Sequence, residues 1–135
     1  MQINIEEKKK ILGFASRFSE IVEKNKWISN YDSDNDSLVI RTPNLSNDAR
    51  KRYVTDEFAL YLSPADNIQG VFIEYFSSNF LSHNARLKSM RKKLKVKKSE
   101  NAVMEVEQKE IKKVLPILES VFVDSIFSSN QAQIA

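Results

Sequence analysis

Three residues carry the side chains that acid–base chemistry would use: Glu74, His83 and Asp56. Glu74 is the one charge in an otherwise apolar run, Val-Phe-Ile-Glu-Tyr-Phe at 71–76. A carboxylate in such a run must be paired, hydrogen-bonded or left facing an opening. Arg41 or Arg52 is expected to pair with it across the sheet; otherwise it is a ligand-facing group with a perturbed pKa. His83 is the only histidine. It could act as a general base beside Glu74 or Asp56, but it cannot form a histidine metal pair. A structural ion pair at Glu74 and a locally hydrogen-bonded His83 explain both residues more simply, so neither is assigned a catalytic role.

Asp32, Asp34 and Asp36 have the spacing with which a calcium loop begins. The rest of that pattern is missing. Ser37 stands where the sharp-turn glycine belongs and Pro43 where the bidentate glutamate belongs. Asp and Asn bond their own backbone and tolerate left-handed conformations, so Tyr-Asp-Ser-Asp-Asn-Asp at 31–36 reads as a hairpin turn. No metal site and no cofactor are expected.

The charge is unevenly spread. Between 86 and 98 stand eight basic residues, Arg86, Lys88, Arg91, Lys92, Lys93, Lys95, Lys97 and Lys98, and no acidic one. Removing these eight from the net +3 leaves −5 for the rest. The segment could hold a phosphate backbone or an acidic partner. No aromatic residue is interleaved with the cations, which argues against stacking on single strands there.

Composition bounds the rest. The 135 residues, 41% hydrophobic and 29% charged, are enough for one globular domain, 1–135, with a real core. Cysteine is absent, which removes disulfides and thiolate chemistry and agrees with a cytoplasmic location. Glycine occurs only twice, which excludes a glycine-rich phosphate loop. No signal peptide is evident at the N-terminus and no stretch is apolar enough to span a bilayer.

These residues need elements to position them. Ile11, Phe14, Ala15, Phe18, Ile21 and Val22 recur at helical spacing, predicting one helix over 6–26. Within it, Gly13 is expected to mark close packing on the sheet. Strands are expected over 27–31, 37–42, 57–63 and 71–76, where apolar residues alternate or run together. The stretch 43–56 reads as a long polar loop with a helical turn near 46–51. A basic helix or linker is expected over 84–101 and a helix over 102–127, kinked or split at Pro116. Residues 128–135 read as a tail. The fold expected is α+β: an antiparallel β-meander of about four strands in the core 31–76, flanked by an N-terminal helix and C-terminal helices.

The central stretch also resembles a known group. Tyr31-Asp32, Asp36-x-Leu38-x-Ile40-Arg41, then Asp56-Glu57-Phe58-x-Leu60-Tyr61 and Gly70-x-x-Ile73-Glu74 are similar to a family of short prokaryotic proteins of unknown function. The similarity covers 31–76. It implies a compact β-meander, a prokaryotic cytoplasmic origin and an antitoxin-like partner role, and it supplies no catalytic residue.

The sequence therefore leads to a non-enzymatic protein-interaction module, regulatory or antitoxin-like, that binds a protein partner or itself as a homodimer. The alternative is a nucleic-acid-associated protein using 86–98. A small hydrolase or nuclease using Glu74, Asp56 and His83 is a weaker one.

Overall fold

The computed structural model describes residues 4–77 and 103–133. Three helices lie on one face of an antiparallel sheet: α1 (Ile5–Ala15), α2 (Phe18–Lys24) and α3 (Gln108–Gln133). The strands are β1 (Ile28–Asp32), β2 (Ser37–Arg41), β3 (Arg50–Tyr53), β4 (Phe58–Leu62), β5 (Ile68–Ile73) and β6 (Val103–Val106). Their order is β3-β4-β5-β2-β1-β6. The α+β class and the antiparallel sheet agree with the sequence reading.

The strand number does not. The sheet has six strands rather than about four, and the two extra ones are its edges. The order is also not a simple meander. β3, β4 and β5 follow one another, but β5 then pairs with β2, so the β1–β2 hairpin sits between β5 and β6. The stretch expected to be a loop with a helical turn holds β3 instead, and the start of the expected C-terminal helix is β6.

The expected N-terminal helix is two helices. Asn4 opens α1 by accepting the Glu7 N–H at 2.8 Å, satisfying one of the free donors of the first turn. The chain then turns at Ser16–Arg17. The first turn of α2 is served by tertiary structure: the Glu119 carboxylate of α3 accepts the Ser19 N–H at 3.0 Å. Gly13 does not press on the sheet, since a Cβ built there would meet nothing within 4 Å. The close approach is at Gly70, where a Cβ would lie 3.0 Å from the Arg41 Cβ and 3.1 Å from the Ile40 carbonyl oxygen.

α3 runs without interruption through Pro116. The proline lies on the exposed side of the helix. The Lys112 carbonyl that it leaves without an N–H donor is therefore on the side that water can reach. The opposite side buries Ile111, Val114, Leu115, Leu118, Phe122 and Ile126.

Phe122 is the centre of the core. It stacks on Phe58 of β4, with ring centroids 4.5 Å apart, and takes the edges of Phe14 and Phe18 at 6.2 and 6.1 Å. Leu38, Ile40, Leu60, Val71 and Ile73 complete the sheet side of this layer. Every second strand residue is thus committed to the helices.

Candidate functional site

The remaining strand residues form the other face of the sheet, and none of the described elements packs on it. A cavity of about 900 Å³ opens there, lined by Val39, Arg41, Lys51, Tyr53, Tyr61, Phe72 and Glu74 among others. Register places these residues in rows across the strands. One row holds Lys51, Tyr61, Gly70 and Arg41. The next holds Tyr53, Ala59, Phe72, Val39, Asn30 and Glu105. The third holds Ser37, Asp32 and Val103, with Glu74 just beyond β5 and Asp34 in the β1–β2 turn on the same rim. Adjacent rows are two residues, about 6.6 Å, apart.

The rows differ in chemistry. The first carries the cations. The middle one is aromatic and apolar from Tyr53 to Val39 and polar at its β1–β6 end, Asn30 and Glu105, and the third is acidic. Phe72 is the pivot: the edges of Tyr53 and Tyr61 stand against its ring at 6.3 and 6.4 Å. The Lys51 ammonium covers it, 3.7 Å from the centroid. Burial raises the Tyr61 pKa, and the nearby Arg41 charge opposes that rise. Tyr53 is raised by burial and then by the nearby Glu74 carboxylate. Both phenols are therefore neutral over the physiological range. Gly70 keeps the floor of the face low between Tyr61 and Arg41, which pair with it from either side.

Glu74 has neither arginine as its partner. Arg52 lies on the helix side and pairs with Glu7 of α1 at 2.6 Å. Arg41 shares the face with Glu74, but its Nη1 donates to the Thr42 carbonyl at 3.1 Å. The Tyr53 hydroxyl lies near enough to Glu74 for the carboxylate to raise its pKa. The strand expected over 71–76 runs instead over Ile68–Ile73, ending three residues early, so Glu74 stands just past its end and not within it. Asp56 is exposed in the β3–β4 turn and does not line the cavity. His83 and the basic residues Arg86, Lys88, Arg91, Lys92, Lys93, Lys95, Lys97 and Lys98 lie outside the described residues.

The aspartates of the turn serve the chain. Asp32 accepts the N–H groups of Asp34 and Asn35 and the Asn35 side-chain amide, and these bonds lower its pKa. Asp36 adopts a positive φ of 50°. Its Oδ1 accepts the Tyr31 hydroxyl at 2.6 Å and the Ser77 N–H at 2.7 Å, tying the end of β5 to the hairpin. Burial and then Asp36 push the Tyr31 pKa up. Among the described residues no group of three or more His, Cys, Asp or Glu side chains is placed to hold a metal ion.

A smaller cavity, about 310 Å³, lies between α1 and the β3–β4 edge. Its charges are already matched: Arg52 with Glu7, Arg50 with Asp66, and the Lys10 ammonium with the Asp66 carbonyl at 2.6 Å. The open face is the better candidate. Sequence reasoning missed it because half of its aromatic–cationic corner, Lys51 and Tyr53, comes from the unrecognised strand β3. The alternation Lys51-x-Tyr53 opposite Ala59-x-Tyr61 was the available signal. Among the described residues no helix is long and apolar enough to cross a membrane. No family model, no curated protein and no solved structure matches the chain.

Proposed function

We propose that the chain is a non-enzymatic protein-interaction module whose docking surface is the open face of the sheet. The observation that supports this is the make-up of that face: a broad concavity of about 900 Å³ with aromatic rings at its centre and charges of both signs at its rims. Protein interfaces share this arrangement of an aromatic centre inside a polar rim. Tyr75 and Val103, 56% and 46% exposed, add apolar surface at the same rim. Glu74, the carboxylate best placed for chemistry, lies beside the Tyr53 hydroxyl. The occupant is a protein partner or a second copy of the chain. A regulatory or antitoxin-like role, a prokaryotic origin and a cytoplasmic location are proposed from the resemblance over 31–76.

A photo-reactive phenylalanine analogue at position 61 tests this in the full chain in its native extract. Irradiation should give a protein adduct that the same probe at position 124, on the exposed side of α3, does not give. Equal yields, or none from position 61, overturn the reading.

A second reading has its own observation, the eight cations without an acidic residue over 86–98. Such a segment suits phosphate backbone. Neutralising Lys92, Lys93 and Lys95 should then reduce retention on heparin, and unchanged retention removes it.

A further inference from the structure

We propose that the open face pairs with the same face of a second copy of this chain, about a two-fold axis that runs across the strands along the middle row. This rests on the interaction-module reading and names its occupant. The argument starts from register. Arg41 and Lys51 stand in one row, and Asp32 with Glu74 and Asp34 stand at the opposite rim. Tyr53, Phe72 and Val39 lie between them. A two-fold axis along that middle row turns the face over and exchanges the two rims. Cations then meet carboxylates, and the apolar part of the middle row meets its own copy, with Asn30 and Glu105 facing theirs at the β6 edge. An isologous interface requires this self-complementarity. Among two-fold axes in the plane of the face, one running along the strands instead would set like rows against like.

The pairing can be followed residue by residue. Arg41 of one copy comes over Ser37 of the other, between its Glu74 and its Asp32, which flank Ser37 in the register. Lys51 now covers Phe72. It swings aside toward Glu74 of the second copy and uncovers the ring for its counterpart. Val39 meets Val39. A cation–π contact at an exposed site is weak, about 0.5–1 kcal/mol, so the exchange is not costly.

Other occupants fit less well. Among the described residues of this face, a polyanion would meet Asp32, Asp34, Glu74 and the exposed Glu105 against Arg41 and Lys51. Pairing by the sheet edges is also opposed. β3 carries Arg50, Lys51 and Arg52 along its edge, and β6 is only four residues long. Six strands about 4.8 Å apart and five residues of about 3.3 Å give a flat footprint of about 400 Å². That is the scale of a weak, micromolar interface.

The test is charge-reversal complementation, read by sedimentation over the micromolar range. The wild-type chain should pass from monomer to dimer as concentration rises. The pair Arg41→Glu with Lys51→Glu should be monomeric, as should the pair Asp32→Lys with Asp34→Lys. Mixing the two should restore a dimer, because both rims are then opposite in sign across the interface. A wild-type monomer overturns the proposal, as does a dimer that survives either reversal, or a mixture that stays monomeric. Should a reversed chain fail to fold, Val39→Arg places one charge on the axis against its own copy. Loss of the dimer then supports the pairing and its persistence overturns it. A wild-type monomer that still gives a position-61 adduct with another protein overturns only the self-pairing. No adduct of any kind removes the interaction reading as well.

Discussion

Two glycines and one tyrosine show how single residues set this fold. Gly70 sits where a Cβ would press on Arg41 and on the Ile40 carbonyl, 3.0 and 3.1 Å away, and backbone cannot yield as a flexible side chain can. Gly70→Ala should therefore cost about 1–3 kcal/mol. Gly13 has open space around it in the middle of α1, so Gly13→Ala should gain up to about 1 kcal/mol from helix propensity alone. Urea midpoints compare the two, and a change of the same sign in both would contradict this assignment. Tyr31 offers a pH handle. Its folded pKa lies above the ordinary value of 10, through burial and then Asp36. The folded state therefore favours the protonated phenol. That contribution is complete below pH 10 and is lost as pH rises beyond it. Tyr31→Phe should weaken the fold at pH 8 by about 1 kcal/mol, a typical net hydrogen bond, and should lose less than wild type between pH 8 and pH 11. Equal alkaline losses would place the effect on other groups.

At the scale of elements, what was legible in the sequence followed burial. β2 and β4 could be read because Leu38 and Ile40, and Phe58, Leu60 and Leu62, alternate toward a buried layer. β3 could not, because Arg-Lys-Arg-Tyr carries no apolar alternation. An edge strand needs little, and the charges guard its free edge. β6 was hidden because it is only four residues long and no glycine or proline separates it from α3. The open-face site was hidden with them, since its rows exist only once β3 is in register with β4. Pro116 misled in the other direction. Of the kink or split expected there, the split does not occur: α3 continues through the proline, which lies on its exposed side. Proline still lacks the N–H and crowds the preceding turn. Pro116→Ala should thus raise stability by about 1–3 kcal/mol, partly offset by the looser unfolded chain. A lower or unchanged melting temperature would mean that the proline has a packing role on α3.

At the scale of the molecule, the two faces of one sheet divide the work. The helix side holds the chain together through Phe122 and its ring partners. The other side keeps aromatic rings and segregated charge where the described chain has nothing to gain from them. Tyr53, Phe72 and Tyr61 at the centre, with Arg41 and Asp32 on opposite rims, are matched by a second copy turned about the middle row. The sequence has no cysteine, so one introduced thiol can be read without interference. Val39 lies in the middle row, and the proposed two-fold axis sets it opposite its own copy across faces about 10 Å apart, too far for a direct disulfide but within reach of a short bifunctional thiol reagent. Val39→Cys treated with such a reagent at micromolar concentration should become a cross-linked dimer, while Asp124→Cys on the exposed side of α3 should remain a monomer. A Val39→Cys chain that stays monomeric, or that cross-links no faster than Asp124→Cys, would contradict the pairing of the open faces.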